Sequence, residues 1–150
     1  MADLKEELIK VYREQQYKYT YYIIALCVAA IGFVVTQTIG KPIKYIQIPL
    51  GGAVAAWCIS IFCGLRFIQY QISGLYNNVE YLKIQDGTSE MIAYNKGLIP
   101  QALNMMREIL EKNGNKASKL ANWQDWCFYL GIFLFIVWHI LEMTQTAPAC

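Results

Sequence analysis

The stretch from Tyr45 to Leu65, YIQIPLGGAVAAWCISIFCGL, contains no Asp, Glu, Lys or Arg. An α-helix needs about 20 apolar residues to cross the roughly 30 Å hydrocarbon core of a membrane, and this stretch is long enough. Two further charge-free runs occupy residues 19–40 and 126–141. A helix that is apolar on every face requires apolar surroundings on every side. The three runs therefore predict an all-α integral membrane protein with three transmembrane helices.

These runs divide the chain into four segments with different predicted roles. In chain order they are a cytoplasmic amphipathic helix (residues 1–18) and a transmembrane hairpin of spans one and two (19–66). A cytoplasmic helical region (67–121) and the third span with a short outer tail (122–150) follow. The breaker Gly40-Lys41-Pro42 joins spans one and two. Gly114, followed by a polar link, predicts that a helix ends before span three begins.

The positive charges predict the orientation of the chain. Of its 13 Lys and Arg residues, all but Lys41 and Lys44 lie before span one or between spans two and three. Basic residues resist translocation, so the N-terminus is expected in the cytoplasm and the C-terminus outside. Trp123 and Trp126 fit an inner aromatic belt, and Trp138 fits an outer one.

Span two contains a stripe of small residues on one helix face, four residues apart: Gly52, Ala56, Ser60 and Gly64. Span one has a shorter stripe, preceded by Ala25 and Ala29: Gly32, Thr36 and Gly40. In lipid, close backbone approach over small residues brings helices together. Either the stripes pack spans one and two within one chain, or at least one of them joins two chains. The second alternative predicts a homo-oligomer.

Beyond span two, apolar residues recur at alternating spacings of three and four, which is a seam of heptad type. The seam consists of Leu65, Ile68, Ile72, Leu75, Val79 and Leu82. It predicts that span two continues into the cytoplasm as a helical rod. Asp86-Gly87 is expected to end the rod.

His139 and Glu142 are the ionisable pair of span three. They lie three residues apart, so their side chains can meet on one helix face. Ionisable residues in a span suggest a polar or ion-binding site. The alternative is a histidine anchored at the outer interface with a structural partner, because both residues lie at the outer end of the span.

The sequence contains no recognisable catalytic motif. His139 is the single histidine, and there is no phosphate-binding glycine loop, no HExxH motif and no acidic cluster for a metal. None of the five cysteines forms a CxxC pair. We therefore expect no catalytic residues, no metal and no cofactor. The net charge of +2 gives no reason to expect a nucleic-acid partner.

The order of a short cytoplasmic helix, a tight membrane hairpin and a helical extension, over Asp3 to Lys83, resembles the SLATT-type membrane effectors of bacterial anti-phage systems. This resemblance rests on architecture. It implies oligomerisation, a place in the bacterial inner membrane and a role in breaching that membrane for antiviral defence.

The expected function is therefore a self-associating small membrane protein that forms or gates a pore and so transports ions. Thr36, Gln37, Thr38 and Ser60 are the candidate polar lining. The expected partners are the lipid bilayer, copies of the same chain, and a cytoplasmic protein or signal. The alternative is a non-conducting accessory or scaffold subunit of a larger membrane complex.

Overall fold

The computed structural model of the chain describes residues 2–40, 45–89 and 96–146. These residues form three long helices: α1 (Ala2–Thr38), α2 (Ile48–Gln85) and α3 (Ile99–Thr146). Short 3-10 segments, Tyr45–Gln47 and Lys96–Leu98, lead directly into α2 and α3. All three helices are long and apolar enough to cross a membrane. The prediction of an all-α protein with three helices able to span a membrane is confirmed.

The predicted N-terminal amphipathic helix is not a separate element. Its residues form the first part of α1, which continues without interruption into span one. There is no Gly or Pro in the sequence between Leu4 and Ile31 that would break the helix. An ion pair of 2.8 Å between Lys18 Nζ and Glu14 Oε1 joins successive turns just before span one.

Glycine residues follow the ends of the first two helices, as predicted. α1 ends at Thr38, and Gly40 follows with a φ of +76°, while Lys41 and Pro42 of the predicted breaker lie outside the described residues. Pro49 is the second residue of α2, where its missing N–H leaves no helical hydrogen bond unmade. At the end of α2, Gly87 has a φ of +69°, and the amide of Thr88 donates to the Lys83 carbonyl at 2.9 Å.

The predicted helix end at Gly114 is wrong. α3 is continuous for 48 residues, so the chain has no polar link before span three. Glycine inside a helix costs about 1 kcal/mol relative to alanine, which favourable neighbours can offset. Here Ala117 is buried on the turn that follows Gly114. Its burial favours a helix that continues past the glycine.

The helices contribute to two compact units. The first comprises Met1–Gly64 and Ala121–Cys150, and the second comprises Leu65–Leu120. The core of the first unit is drawn from all three helices: Ile23, Cys27, Val34, Leu50, Ala53, Trp57 and Trp138. Within the second unit the buried residues include Phe67, Ile68, Ile84, Ser89 and Ala117.

Large apolar side chains also cover much of the outside of the first unit. They include Tyr22, Phe33, Phe62, Trp126, Phe133 and Ile140, each at least half exposed. α2 is the most enclosed of the three helices over its apolar stretch. An apolar exterior around an apolar core is what a lipid environment requires.

Candidate functional site

A buried polar cluster joins the three helices of the first unit. Ser60 on α2 has no exposed surface, and its hydroxyl donates to the backbone carbonyl of Gln124 on α3 at 2.9 Å. The Gln124 side chain donates through Nε2 to the backbone carbonyl of Thr20 on α1 at 3.4 Å. Hydrogen bonds of this kind between membrane helices contribute about 0.6 kcal/mol on average. The cluster thus links α1, α2 and α3 at one level.

The amide of Gln124 lies directly against Gly64. A Cβ placed on Gly64 would lie 2.5 Å from Gln124 Nε2 and 2.9 Å from its Cδ. The glycine therefore makes the space that the glutamine occupies. The sequence did not single out Gln124, because a glutamine between Trp123 and Asp125 resembles any other polar residue near the start of a span.

An aromatic cluster lies further along the same bundle. Phe135 of α3 is at the centre, with ring centroids 6.0 Å from Trp57, 5.6 Å from Trp138 and 6.2 Å from Phe33. These distances are typical of favourable aromatic pairs. Trp138, predicted to mark an outer belt, is instead 6% exposed and belongs to the core. Packing against Phe135 places it there.

The indole of Trp57 fits against a glycine on α3. A Cβ on Gly131 would lie 2.4 Å from Trp57 Nε1 and 2.6 Å from its Cδ1. Within the described part of the chain, the buried Nε1 groups of Trp57 and Trp138 have no hydrogen-bond partner. A buried donor without a partner costs about 1–3 kcal/mol. The cluster is therefore well packed but incompletely hydrogen-bonded.

The small-residue stripe of span two lies against α3 of the same chain. Ser60 and Gly64 contact Gln124, and a Cβ on Gly52 would lie 3.2 Å from Leu134 Cδ1. Ala56, the fourth member, is 5% exposed. Both sequence-based alternatives assigned this stripe another partner, either span one or a second chain. Span three fills it because Gln124 and Leu134 present side chains that fit between small residues.

The stripe of span one lies on the opposite side of its helix from the core. The core-facing residues of α1 are Thr20, Ile23, Cys27 and Val34. Helical periodicity places the small residues roughly 180° away from them: Ala25, Ala29, Gly32 and Thr36. All four are exposed, and a Cβ on Gly32 or Gly40 would meet no atom within 4 Å. We refer to Ala25, Ala29, Gly32 and Thr36 as the α1 stripe.

The two residues of the predicted polar pair of span three differ in how far they are buried. His139 is exposed, and its ring stacks on Phe135 with centroids 6.5 Å apart and planes 8° from parallel. Glu142 is half-buried and has an interaction of its own. The stacking anchors the imidazole to the aromatic cluster. An ion-binding role for this pair stays a prediction.

The heptad seam on α2 is largely open within the chain. Ile68 is buried, whereas the other five members are exposed: Leu65, Ile72, Leu75, Val79 and Leu82. A heptad seam is normally covered by a partner helix. The open seam is therefore a candidate contact surface for a partner.

The exposed face of α3 carries a groove of about 810 Å³ that sequence reasoning did not identify. Its walls are Asn122, Trp123, Trp126, Tyr129, Leu130 and Phe133, with Cys127 at the base. The spacing of Trp123, Trp126, Leu130 and Phe133, at intervals of three and four, is the signal that places them on one face. Interpreting the two tryptophans only as belt residues concealed that pattern.

The four described cysteines, Cys27, Cys58, Cys63 and Cys127, are free thiols, and Cys58 alone among them is exposed. Among the residues that the structure describes, no group of three or more His, Cys, Asp or Glu side chains is placed to hold a metal ion. Comparisons with protein-family models, with curated proteins and with solved structures give no match. The surfaces of this chain are therefore the basis for a functional proposal.

Proposed function

We propose that the protein associates with copies of itself in the membrane through the α1 stripe, and that this assembly forms or gates a pore. The observation that carries the proposal is the direction of the stripe, which faces away from the core of its own chain. A helix face that meets only lipid gains nothing from small residues. A face that meets another helix gains close backbone approach.

Such a pore would lie between copies of the chain and not inside one copy. The interior of a single chain is closed, since Cys27, Ala53 and Ser60 have no exposed surface. Thr36 and Gln37 are exposed and would be the polar residues nearest to the contact between copies. A mainly apolar lumen can still gate ions through wetting and dewetting, which requires few charged groups.

The resemblance to SLATT-type proteins supports the same function. A pore in the bacterial inner membrane would make this chain a membrane-disrupting defence effector. In that case a cytoplasmic partner or signal would act on residues 67–121, with the α2 seam as its candidate contact surface.

Gly32→Leu tests the contact between copies. The leucine would fill the open stripe and hold neighbouring helices apart, and nothing in its own chain lies within 4 Å of the new Cβ. Gly51→Leu is the matched control, because Gly51 is exposed on α2 and a Cβ there would also meet nothing within 4 Å. Mass photometry in nanodiscs should find an oligomer for the wild type and Gly51→Leu, and monomers for Gly32→Leu. Identical masses for all three would refute the proposed contact.

Ion flux from liposomes tests the pore. The wild type and Gly51→Leu should release a trapped ion or small dye, and Gly32→Leu should not. Oligomers that never conduct, with or without residues 67–121, would reject the pore.

The second candidate function is a non-conducting accessory or scaffold subunit. It is favoured by the closed interior of the single chain and by the large apolar exterior. A wild-type protein that is monomeric in nanodiscs and passes no ions would support this function. It would then be expected to bind a larger membrane complex through the α1 stripe.

The proposed orientation has the N-terminus in the cytoplasm and the C-terminus outside. After replacement of the native thiols, a cysteine introduced at Asn113 should react with a membrane-impermeant reagent only in permeabilised cells. A cysteine introduced at Tyr45, in the turn before α2, should react in intact cells. Labelling of both positions from the same side would reject this orientation.

A further inference from the structure

We propose that the groove on α3 binds one anionic glycerophospholipid of the surrounding bilayer. The groove extends from Asn122 to Phe133, a distance of about 16 Å along the helix axis at 1.5 Å per residue. That length covers about half of the 30 Å hydrocarbon core, which is the depth of one leaflet. The inference requires only that α3 lies in a membrane, and it is independent of the proposed pore.

The size of the lining residues favours a lipid over another helix. Helices pack together in membranes through small residues that allow close backbone approach. The groove is instead walled by large side chains, of which Trp126 is 76% exposed and Phe133 is 62% exposed. A flexible acyl chain can follow the gaps between such side chains, whereas a rigid helix would be held away by them. The first unit thus offers two different surfaces, the small α1 stripe for protein and the aromatic groove for lipid.

The groove also changes in polarity along its length. At one end, the Asn122 amide and the indoles of Trp123 and Trp126 provide hydrogen-bond donors. Beyond Tyr129, whose hydroxyl is the last polar group of the lining, Leu130 and Phe133 are entirely apolar. A phospholipid has the same gradient, from phosphate and ester oxygens to hydrocarbon.

Charge on α3 favours an anionic headgroup. Lys119 lies four residues before Trp123 and seven before Trp126, so helical spacing puts all three on one face. Lys116 lies on the preceding turn, and both lysine side chains are exposed. Basic residues near a membrane surface attract anionic lipid. The donors of the groove and these two charges together match a phosphatidylglycerol type of headgroup.

Native mass spectrometry of the full chain, purified in detergent with added phosphatidylglycerol, tests the groove. The wild type should retain one lipid per chain, and the double variant Trp126→Ala/Leu130→Ala should retain at least tenfold less. The matched control is Ile136→Ala/Ile140→Ala, because both isoleucines are exposed on α3 but do not line the groove. The control should bind lipid like the wild type. Equal retention by both double variants would overturn the proposal, since any lipid would then be held by the apolar exterior in general.

Headgroup selection is tested by fluorescence in the unmodified protein. Brominated phosphatidylglycerol should quench the exposed Trp123 and Trp126, and unbrominated phosphatidylglycerol should reverse the quenching at a several-fold lower concentration than phosphatidylcholine does. Lys119→Gln should reduce that difference. Equal reversal by both lipids would overturn the anionic selection.

Experiments can distinguish a failure of the lipid proposal from a failure of the oligomer proposal. The monomeric Gly32→Leu variant should still retain phosphatidylglycerol. If Trp126→Ala/Leu130→Ala abolishes the oligomer and leaves lipid retention unchanged, the groove is a protein contact and the lipid proposal is wrong.

Discussion

Replacing Gly131 with alanine should destabilise the bundle by driving a methyl group into Trp57. The new Cβ would lie 2.4 Å from Nε1, 2.6 Å from Cδ1 and 2.8 Å from Cε2 of the indole, well inside contact distance. The indole has little room to move, because it is 3% exposed and packs on Phe135. Overfilling a packed core typically costs about 1–3 kcal/mol.

Gly51→Ala is the matched control for this change. Gly51 lies inside α2, it is exposed, and a Cβ there would meet nothing within 4 Å. The helix-propensity gain of alanine over glycine, about 1 kcal/mol, applies to both variants and cancels in the comparison. We therefore expect Gly131→Ala to be about 1–3 kcal/mol less stable than Gly51→Ala. At about 2–4 °C per kcal/mol for a chain of this size, the unfolding temperature should be roughly 2–12 °C lower.

The unfolding temperature of each variant can be measured in detergent with a fluorogenic maleimide. Heating exposes the buried thiols of Cys27, Cys63 and Cys127, which then react with the reagent. Adding Trp57→Phe to Gly131→Ala should cost less than the sum of the two single changes, since phenylalanine lacks Nε1, the indole atom nearest to the new methyl group. Equal unfolding temperatures for Gly131→Ala and Gly51→Ala would refute the packing of Trp57 against Gly131.

Three further predictions test other parts of the structure. Gly64→Ala should lower the unfolding temperature by less than Gly131→Ala does, because its Cβ would lie 2.5 Å from Nε2 at the flexible end of Gln124. Gln124→Ala should relieve part of this loss, and strict additivity of the two changes would contradict the contact. Ser60→Ala should lower the free energy of unfolding by about 0.5–1.5 kcal/mol, because it removes the hydrogen bond to the Gln124 carbonyl. An unchanged thermal unfolding curve would count against that bond. Gly114→Ala should stabilise the folded protein by about 1 kcal/mol, because α3 is continuous at this position. Gly87→Ala should destabilise it, because the φ of +69° is strained for alanine. A destabilising Gly114→Ala would instead support the predicted helix end.

The sequence by itself determined that the chain has three helices able to span a membrane, and it determined where the first two helices end. Whether a helix can cross a membrane depends on an uninterrupted apolar length, and that is a local property of the chain. The helix ends at Gly40 and Gly87 could also be predicted from the sequence. They depend on a backbone conformation that glycine adopts without strain.

Tertiary structure alone decided which surfaces meet. The stripe from Gly52 to Gly64 indicated that a helix would pack there, but small residues accept any partner whose side chains fit. Gln124 and Leu134, which lie far along the chain, made that partner α3 and left the α1 stripe open. Tertiary packing also decided that α3 continues past Gly114, where Ala117 is buried on the next turn. Packing on Phe135 likewise decided that Trp138 lies in the core. Such outcomes depend on the match between distant side chains, which spacing within one segment does not contain.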